Sequence, residues 1–228
     1  VKAFQNFYQS YFLNHTKDTP LIDAKIAISK DYLTINKRKK WITNSHSRGR
    51  THLIRSEYDA ILSTSKSINK DNSLLNCRLN GLNNNKPDLI IIDSMFKIKT
   101  NLNLFKRKNK RKIFIVTLVN NYKKRSYLKN KGIKIISLKS LNSKKDFINL
   151  FKILKKYAYN RILVESGLVF LNKLLKEKLI FNLYMFQSSK KLGKNGKNNT
   201  SNNLLKKISL KNKISVNLNG DKLYKIKF

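Results

Sequence analysis

The 228-residue chain has one cysteine, three histidines and twelve acidic residues, and none of its apolar runs approaches the ~18 residues of a membrane-spanning helix. A single thiol, Cys77, excludes an internal disulfide and fits a reduced compartment, so a cytoplasmic location is expected. Three scattered histidines and one cysteine offer no metal-ligand spacing, so no metal is expected. No nucleophile–base pair or triad stands out, and there is no internal repeat. The opening residues, VKAFQNFYQSYF, lack the charged-then-apolar layout and the small-residue cleavage site of a secretory signal.

The scarcity of acid has the largest consequence. Fifty Lys and Arg residues face twelve Asp and Glu, a formal charge of +38. Such a field attracts nucleic acid or an anionic membrane. A second explanation covers more of the composition. The excess is mostly Lys, arrives with many Asn and Ile, and is spread over the whole chain. Those three residues are the ones that AT-rich codons favour. Neither a membrane nor a specific nucleic acid is therefore the expected partner, although a nucleic-acid-binding α/β module remains an alternative. A steep fall of affinity with salt would mark it.

What is present is enough apolar residue, 40%, to build a core. Ala24–Ser29 alternates as a strand. Ser45–Tyr58, after the capping candidates Thr43 and Asn44, reads as a helix. Ala60–Ser63, the run LIIIDS after Pro87-Asp88, Lys112–Val119 and Ile133–Leu138 read as buried strands. Asp146–Ala158 has helical apolar spacing at Phe147, Leu150, Phe151 and Leu154. Strand Arg161–Glu165, helix Gly167–Leu179 and strand Ile180–Gln187 follow. Lys190–Asn212 reads as a long loop, and Asn219-Gly220-Asp221 as the turn of a C-terminal hairpin. The alternation predicts an α/β domain with a mostly parallel sheet, flanked by helices, and an antiparallel edge.

In such sheets ligands gather at the carboxyl ends of strands. Several strands here end in polar residues: Thr64 and Ser67, Asp93-Ser94, and Glu165-Ser166-Gly167. Gly167 would let backbone N–H groups and a helix N-terminus approach a phosphate, or it is a plain strand-to-helix turn. Glu165 is a ligand contact, or a carboxylate held by the helix dipole. Arg48, His52 and Arg55 share one helix face, which is a solvated basic face or, with Arg78, an anion site. Two guanidiniums suit a phosphate monoester because each can bind two oxygens. Trp41, the lone Trp, fits either core packing or a ligand surface.

These residues, in this order, resemble the reductase domain of the bacterial riboflavin-biosynthesis bifunctional deaminase-reductase, which has a dihydrofolate-reductase-like fold. The resemblance rests on Lys25 and Ser29-Lys30-Asp31-Tyr32, on Trp41-Ile42-Thr43, and on Arg55 with Ala60-Ile61-Leu62. It continues through DNSLLNCR (Asp71–Arg78), LIIIDS, VESG (Val164–Gly167) and SKKLG (Ser189–Gly193). There are departures. Tyr32 stands where the family has Gly, and Lys39 where a substrate-contacting Ser is usual, after a slightly short loop. Asn72-Ser73 replaces Asp-Pro, Ser166 replaces a residue with little or no side chain, and Ser189 replaces Pro. The zinc-deaminase motifs of the family are absent. The Val start fits a reductase portion of a longer protein, with residues 1–20 as a linker and 21–228 as the reductase domain.

The resemblance implies NADPH-dependent reduction of 5-amino-6-(5-phosphoribosylamino)uracil by hydride transfer to the sugar C1′, in a homodimer. It implies substrate contacts from Lys39, Arg55, Leu75, Arg78 and Glu165. Cofactor contacts are implied for Ala27, Trp41, Ser67, Asp71, Ser94, Gly167, Leu168 and Val169, and Lys25 is a candidate for a polar contact near the reacting sugar. The competing expectations are a pterin-type reductase of the same fold and a domain kept for structure alone.

Overall fold

The computed structural model describes residues 8, 18–82, 87–106 and 111–228. In chain order the elements are β1 (Leu21–Ile28), β2 (Ile35–Asn36), α1 (Ser45–Ser56), β3 (Ala60–Thr64), α2 (Ser65–Asp71), β4 (Asp88–Ile92), α3 (Asn103–Lys106), β5 (Ile113–Thr117), α4 (Tyr122–Asn130), β6 (Lys134–Ser137), α5 (Lys144–Lys156), β7 (Arg161–Val164), α6 (Leu168–Lys176), β8 (Asn182–Gln187), β9 (Gly196–Lys197), β10 (Lys213–Ile214) and β11 (Lys222–Lys227). The expected linker, residues 1–20, falls mostly outside the described residues. The chain forms two compact units, Val1–Leu21 with Arg55–Leu163, and Ile22–Ile54 with Val164–Phe228.

The first unit carries strands in the order β7-β3-β4-β5-β6. Neighbours β3/β4, β4/β5 and β5/β6 are parallel, with Ile61 opposite Leu89 and Leu89 opposite Ile113. A parallel strand needs a crossover, and those crossovers cover both faces of the sheet. Accordingly Leu89, Ile90 and Ile91, and Phe114 and Ile115, have no exposure on either face. One face packs with Ile68 of α2, Leu128 of α4, Phe96, Ile98 and Leu104. In α5, Phe147, Leu150, Phe151 and Leu154 are buried at the spacing read from sequence. Its start is a capping box: the Ser143 hydroxyl accepts from the Asp146 amide, and Asp146 accepts from the Ser143 amide.

The second unit orders its strands β10-β11-β8-β1. β1 and β8 are parallel, with Lys25 opposite Tyr184, while β8/β11 and β10/β11 are antiparallel. The mostly parallel sheet with an antiparallel edge is thus as expected. The hairpin is not the tight one expected. Leu218–Asp221 does form the turn, with Asn219 and Gly220 at positive φ and the Asp221 amide bonded to the Leu218 carbonyl. Pairing, however, resumes only at Ile214 opposite Leu223. Asp221 draws the turn inward, because its carboxylate accepts from the amides of Asn44 and Ser189 and the Ser47 hydroxyl. The expected loop Lys190–Asn212 also carries short structure: Gly196–Lys197 pairs with Ile35–Asn36.

β1 ends where Ser29 closes a turn. The Ser29 amide donates to the Leu33 carbonyl, its hydroxyl donates to Asp31 Oδ1 at 2.5 Å, and the Leu33 amide donates back to that hydroxyl. Burial alone would raise the Asp31 pKa. The Ser29 hydroxyl and the amides of Leu192 and Gly193 outweigh it and hold the carboxyl down at about 2. Tyr32, in the place of the family's Gly, sits in this turn at φ 62. The left-handed region costs a residue with a Cβ about 1–2 kcal/mol, part of which Gly gives back as unfolded-chain entropy. Tyr32→Gly should therefore raise unfolding stability by about 1 kcal/mol in urea titration. A loss would show that the Tyr32 side chain contributes more than its backbone costs.

Candidate functional site

In the first unit the polar strand ends come together as the pattern requires. Thr64 closes β3 and caps α2, its hydroxyl accepting from the Ser67 amide. Thr64 is paired with Ile92, so the next residues of the two strands are neighbours. The Ser65 hydroxyl donates to Asp93 Oδ1 at 2.7 Å, and Asp93 also accepts from the amides of Lys97 and Ile98. Ser67 and Ser94 thus lie beyond the carboxyl ends of adjacent parallel strands, both half-buried. Asp71 is four residues after Ser67, on the same helix face, and is exposed.

Asn72 ends α2 in the left-handed conformation, which Asn adopts more readily than most residues, and its side chain accepts from the Asn103 amide. The segment from Asn72 to Arg78 then bends sharply, with Leu75 at φ 48 and buried. Arg55 Nη1 donates to the Asn76 carbonyl at 3.1 Å, and Arg78 Nη1 donates to the Asn76 side-chain oxygen at 2.7 Å. The two arginines, far apart in sequence, therefore converge on one asparagine. Sequence reasoning gave no role to Asn76, although it lies within the DNSLLNCR block, nor to Arg111, whose guanidinium reaches the carbonyls of Leu74, Leu75 and Pro87.

In the second unit Glu165 follows β7 and is buried at 9% exposure. Its partner is the Lys25 ammonium of β1, at 3.9 Å, which also lies 5.4 Å from the centre of the Phe186 ring. Lys25, the candidate for a contact near the reacting sugar, and Glu165, an expected substrate contact, thus lie side by side. Ala27 is two residues from Lys25 along β1, on the same face. Gly167 caps α6 with no side-chain acceptor, at φ −69 and ψ 161, a conformation open to any residue. Leu168 is buried and Val169 is 53% exposed, so Leu168 offers a ligand only its backbone. Trp41 is 53% exposed, which removes the core reading. The Arg48 guanidinium lies 5.1 Å from the centre of its ring. Lys39 is exposed, and its amide donates to Asn36 Oδ1.

A separate open pocket lies between the end of β5 and α4, with Tyr122, Arg125, Lys129 and Ser137 on its walls. None of the residues singled out from sequence lines it. Among the described residues no three His, Cys, Asp or Glu could hold a metal ion, and no helix is long and apolar enough to cross a membrane.

The pattern of the RibD C-terminal domain family matches residues 20–224. The chain belongs to that family. The riboflavin biosynthesis protein RibD of Buchnera aphidicola subsp. Baizongia pistaciae is 31% identical over 200 residues, 81% of this chain and 52% of that one. The chain therefore spans about half the length of that RibD protein. A 5-amino-6-(5-phosphoribosylamino)uracil reductase of Buchnera aphidicola subsp. Acyrthosiphon pisum is 31% identical over 173 residues, 71% of this chain and 81% of that one. In fold, the chain is similar to RibD of Acinetobacter baumannii, with a TM-score of 0.78 over 98% of this chain and 62% of the other, at 18% identity. The riboflavin biosynthesis reductase of Saccharomyces cerevisiae shares the fold with a TM-score of 0.71, 98% coverage of both chains and 21% identity. Within this RibD C-terminal domain, the arginines that meet at Asn76 and the Lys25–Glu165 pair are the two charged foci among the sequence-identified residues.

Ion pairs at an exposed surface couple by about 0.2–1 kcal/mol. Lys25 and Glu165 are largely removed from water, so their coupling should exceed that range. Lys25→Met, Glu165→Gln and the double variant, unfolded in urea, should give a coupling energy above about 1 kcal/mol. Additive losses would mean that the pair is no more than proximity.

Proposed function

We propose that this domain reduces the ribosyl group of 5-amino-6-(5-phosphoribosylamino)uracil to the ribityl product, with NADPH as the reductant. The observation that carries this reading is the convergence of Arg55 and Arg78 on Asn76. Guanidiniums gathered at one point, with charge-assisted donors fixed in a planar fork, match a phosphate monoester. A pterin-reducing site has no use for such a clamp. The name of the similar Buchnera reductase supports the same substrate.

When bound, NADPH would supply the hydride for C1′. The residues present fit that cofactor. Gly167 opens a nine-residue helix whose cap brings no side chain of its own, so backbone N–H groups are what it offers to a pyrophosphate. Leu168 and Val169 continue that first turn. Trp41 presents an exposed aromatic face, Ala27 a small one, and Ser67, Asp71 and Ser94 present polar groups at strand and helix ends. Glu165 fixes the register of the substrate by hydrogen bonding, and its buried pairing with Lys25 holds the carboxylate in place. Leu75, whose side chain is buried in the core of the first unit, offers the substrate side its backbone beside Asn76, and Lys39 contributes a cation there. Orientation and electrostatics are the protein's share of such chemistry.

Two experiments test the assignment. Arg55→Ala or Arg78→Ala removes a charge-assisted contact worth roughly 1.5–3 kcal/mol. The loss should appear in kcat/KM for the phosphorylated substrate and be nearly absent for its dephosphorylated analogue, with NADPH affinity little changed. Equal losses on both substrates would take the arginines out of the phosphate site.

The second concerns Gly167. Its backbone conformation accepts a side chain, so Gly167→Val should fold. A Cβ with two methyls would block the approach of a pyrophosphate to the helix start. NADPH affinity should fall at least tenfold, about 1.4 kcal/mol. Unchanged affinity measured by calorimetry would place the cofactor phosphates elsewhere.

A further inference from the structure

Arg111 belongs to no motif and has no assigned contact of its own with substrate or cofactor; of the residues assigned to them it meets Leu75, and only at its backbone carbonyl. It precedes β5, yet two of the three bonds its guanidinium makes to carbonyls reach a segment distant in sequence, and the third reaches the residue before β4. Nη1 donates to the Leu75 carbonyl at 2.7 Å and to the Pro87 carbonyl at 3.1 Å, and Nη2 donates to the Leu74 carbonyl. The rigid guanidinium fork can hold several carbonyls in one fixed geometry, which a lysine ammonium on its flexible stem cannot.

The segment so held is a strained one. Leu75 is at φ 48, where a residue with a Cβ is disfavoured, and such a conformation persists only when its surroundings over-determine it. Arg111 fixes the carbonyls on both sides of that bend. The next residue, Asn76, is where Arg55 and Arg78 meet. Arg111 is also costly where it stands. Burial and the charge of Arg55 draw its pKa down to about 10, with Asp88 offsetting part of the effect. A cation kept beside another cation, and bonded only to carbonyls by these three contacts, is placed for geometry and positive potential, not for a neutralising pair.

We propose that Arg111 is a positioning residue for phosphate recognition. By gripping the carbonyls of Leu74 and Leu75 it sets the left-handed bend that brings Asn76 and Arg78 to Arg55. Preference for a phosphorylated over a dephosphorylated substrate therefore depends on a side chain that touches neither. This rests on the reading of Arg55 and Arg78 as phosphate ligands.

The test compares the full chain with Arg111→Met, Arg111→Lys and the double variant Arg111→Lys/Leu75→Gly. The readout is kcat/KM for the phosphorylated substrate divided by that for its dephosphorylated analogue, with urea midpoints recorded alongside. Arg111→Met should lower this ratio by about tenfold, ~1.4 kcal/mol, mainly through KM. Arg111→Lys should lose less, because it keeps the charge. Adding Leu75→Gly should restore part of the ratio, since glycine takes the bend without being held there. A purely structural strut would lower the urea midpoint and leave the ratio unchanged, and that result would overturn the proposal. Should Arg111→Met not fold, the lysine pair carries the same decision. A wild-type protein that does not distinguish the two substrates would instead overturn the phosphate reading itself.

Discussion

Strands that are buried on both faces have nowhere to put a polar side chain except at their ends. β4 and β5 show this most clearly: from Leu89 to Ile91 and from Phe114 to Val116 nothing but aliphatic or aromatic surface is present, all of it at or near zero exposure. An unpaired polar group there would cost roughly 1–3 kcal/mol, with no water to satisfy it. Hydroxyls and carboxylates therefore lie where the strands emerge, at Thr64-Ser65 and Asp93-Ser94 in the first unit and, separately, at Glu165-Ser166 in the second. Once there, they bind one another and the starts of the following segments, as Ser65 does with Asp93. Within each unit, the position of these polar groups is thus a consequence of how the core is built. What chemistry follows is set by the few side chains that stand just beyond them.

The same constraint decides what could be read without coordinates. β4, β5 and β7, and the apolar stripes of α5 and α6, are legible because burial writes itself directly into the residue types. α2 and α4 were not read. Each has a single buried apolar residue, Ile68 in one and Leu128 in the other, so there is no stripe to detect. Their capping residues hold their starts instead: Thr64 and Asn121 each accept from an amide in the first turn. β2 and β9 are two residues each and are fixed by neighbours, not by propensity. Asn198 accepts from the Thr34 amide and hydroxyl, and Asn198 and Asn203 both donate to the Tyr32 carbonyl. Such long-range amide contacts leave no local trace in a chain already rich in Asn.

The candidate site divides in the same way. Lys25, Arg55, Arg78, Glu165 and Gly167 were legible because they fall in segments that resemble a known pattern. Their meeting points were not. Asn76 lies in the same block as Arg78 but, as an Asn among many, suggests no role of its own, and Arg111 is one of fifty basic residues. The departures from the family pattern acquire physical meaning only in place. Asn72 supports a left-handed helix end that suits it, whereas Tyr32 occupies a left-handed turn that would suit glycine better.

The charge imbalance finds its answer in how the few acids are used. Asp23, Asp31, Asp59, Asp88, Asp93, Asp146 and Asp221 each accept at least one backbone amide. They close turns and strand ends, work that a lysine could not do. The basic residues find partners of a different kind. Arg111, Lys124, Arg48, Lys37 and Arg55 donate to main-chain carbonyls. Others lie over aromatic rings, as Lys134 does over Phe114 and Arg161 over Tyr58. A surface position can drift to Lys at small energetic cost, because an exposed ion pair contributes little. An aspartate that accepts an amide cannot drift without leaving that amide unsatisfied. Drift would therefore remove acids from the surface first, and selection acting on the fold would spare these seven. That is one route to a chain of +38 whose turns still close on the same few acids.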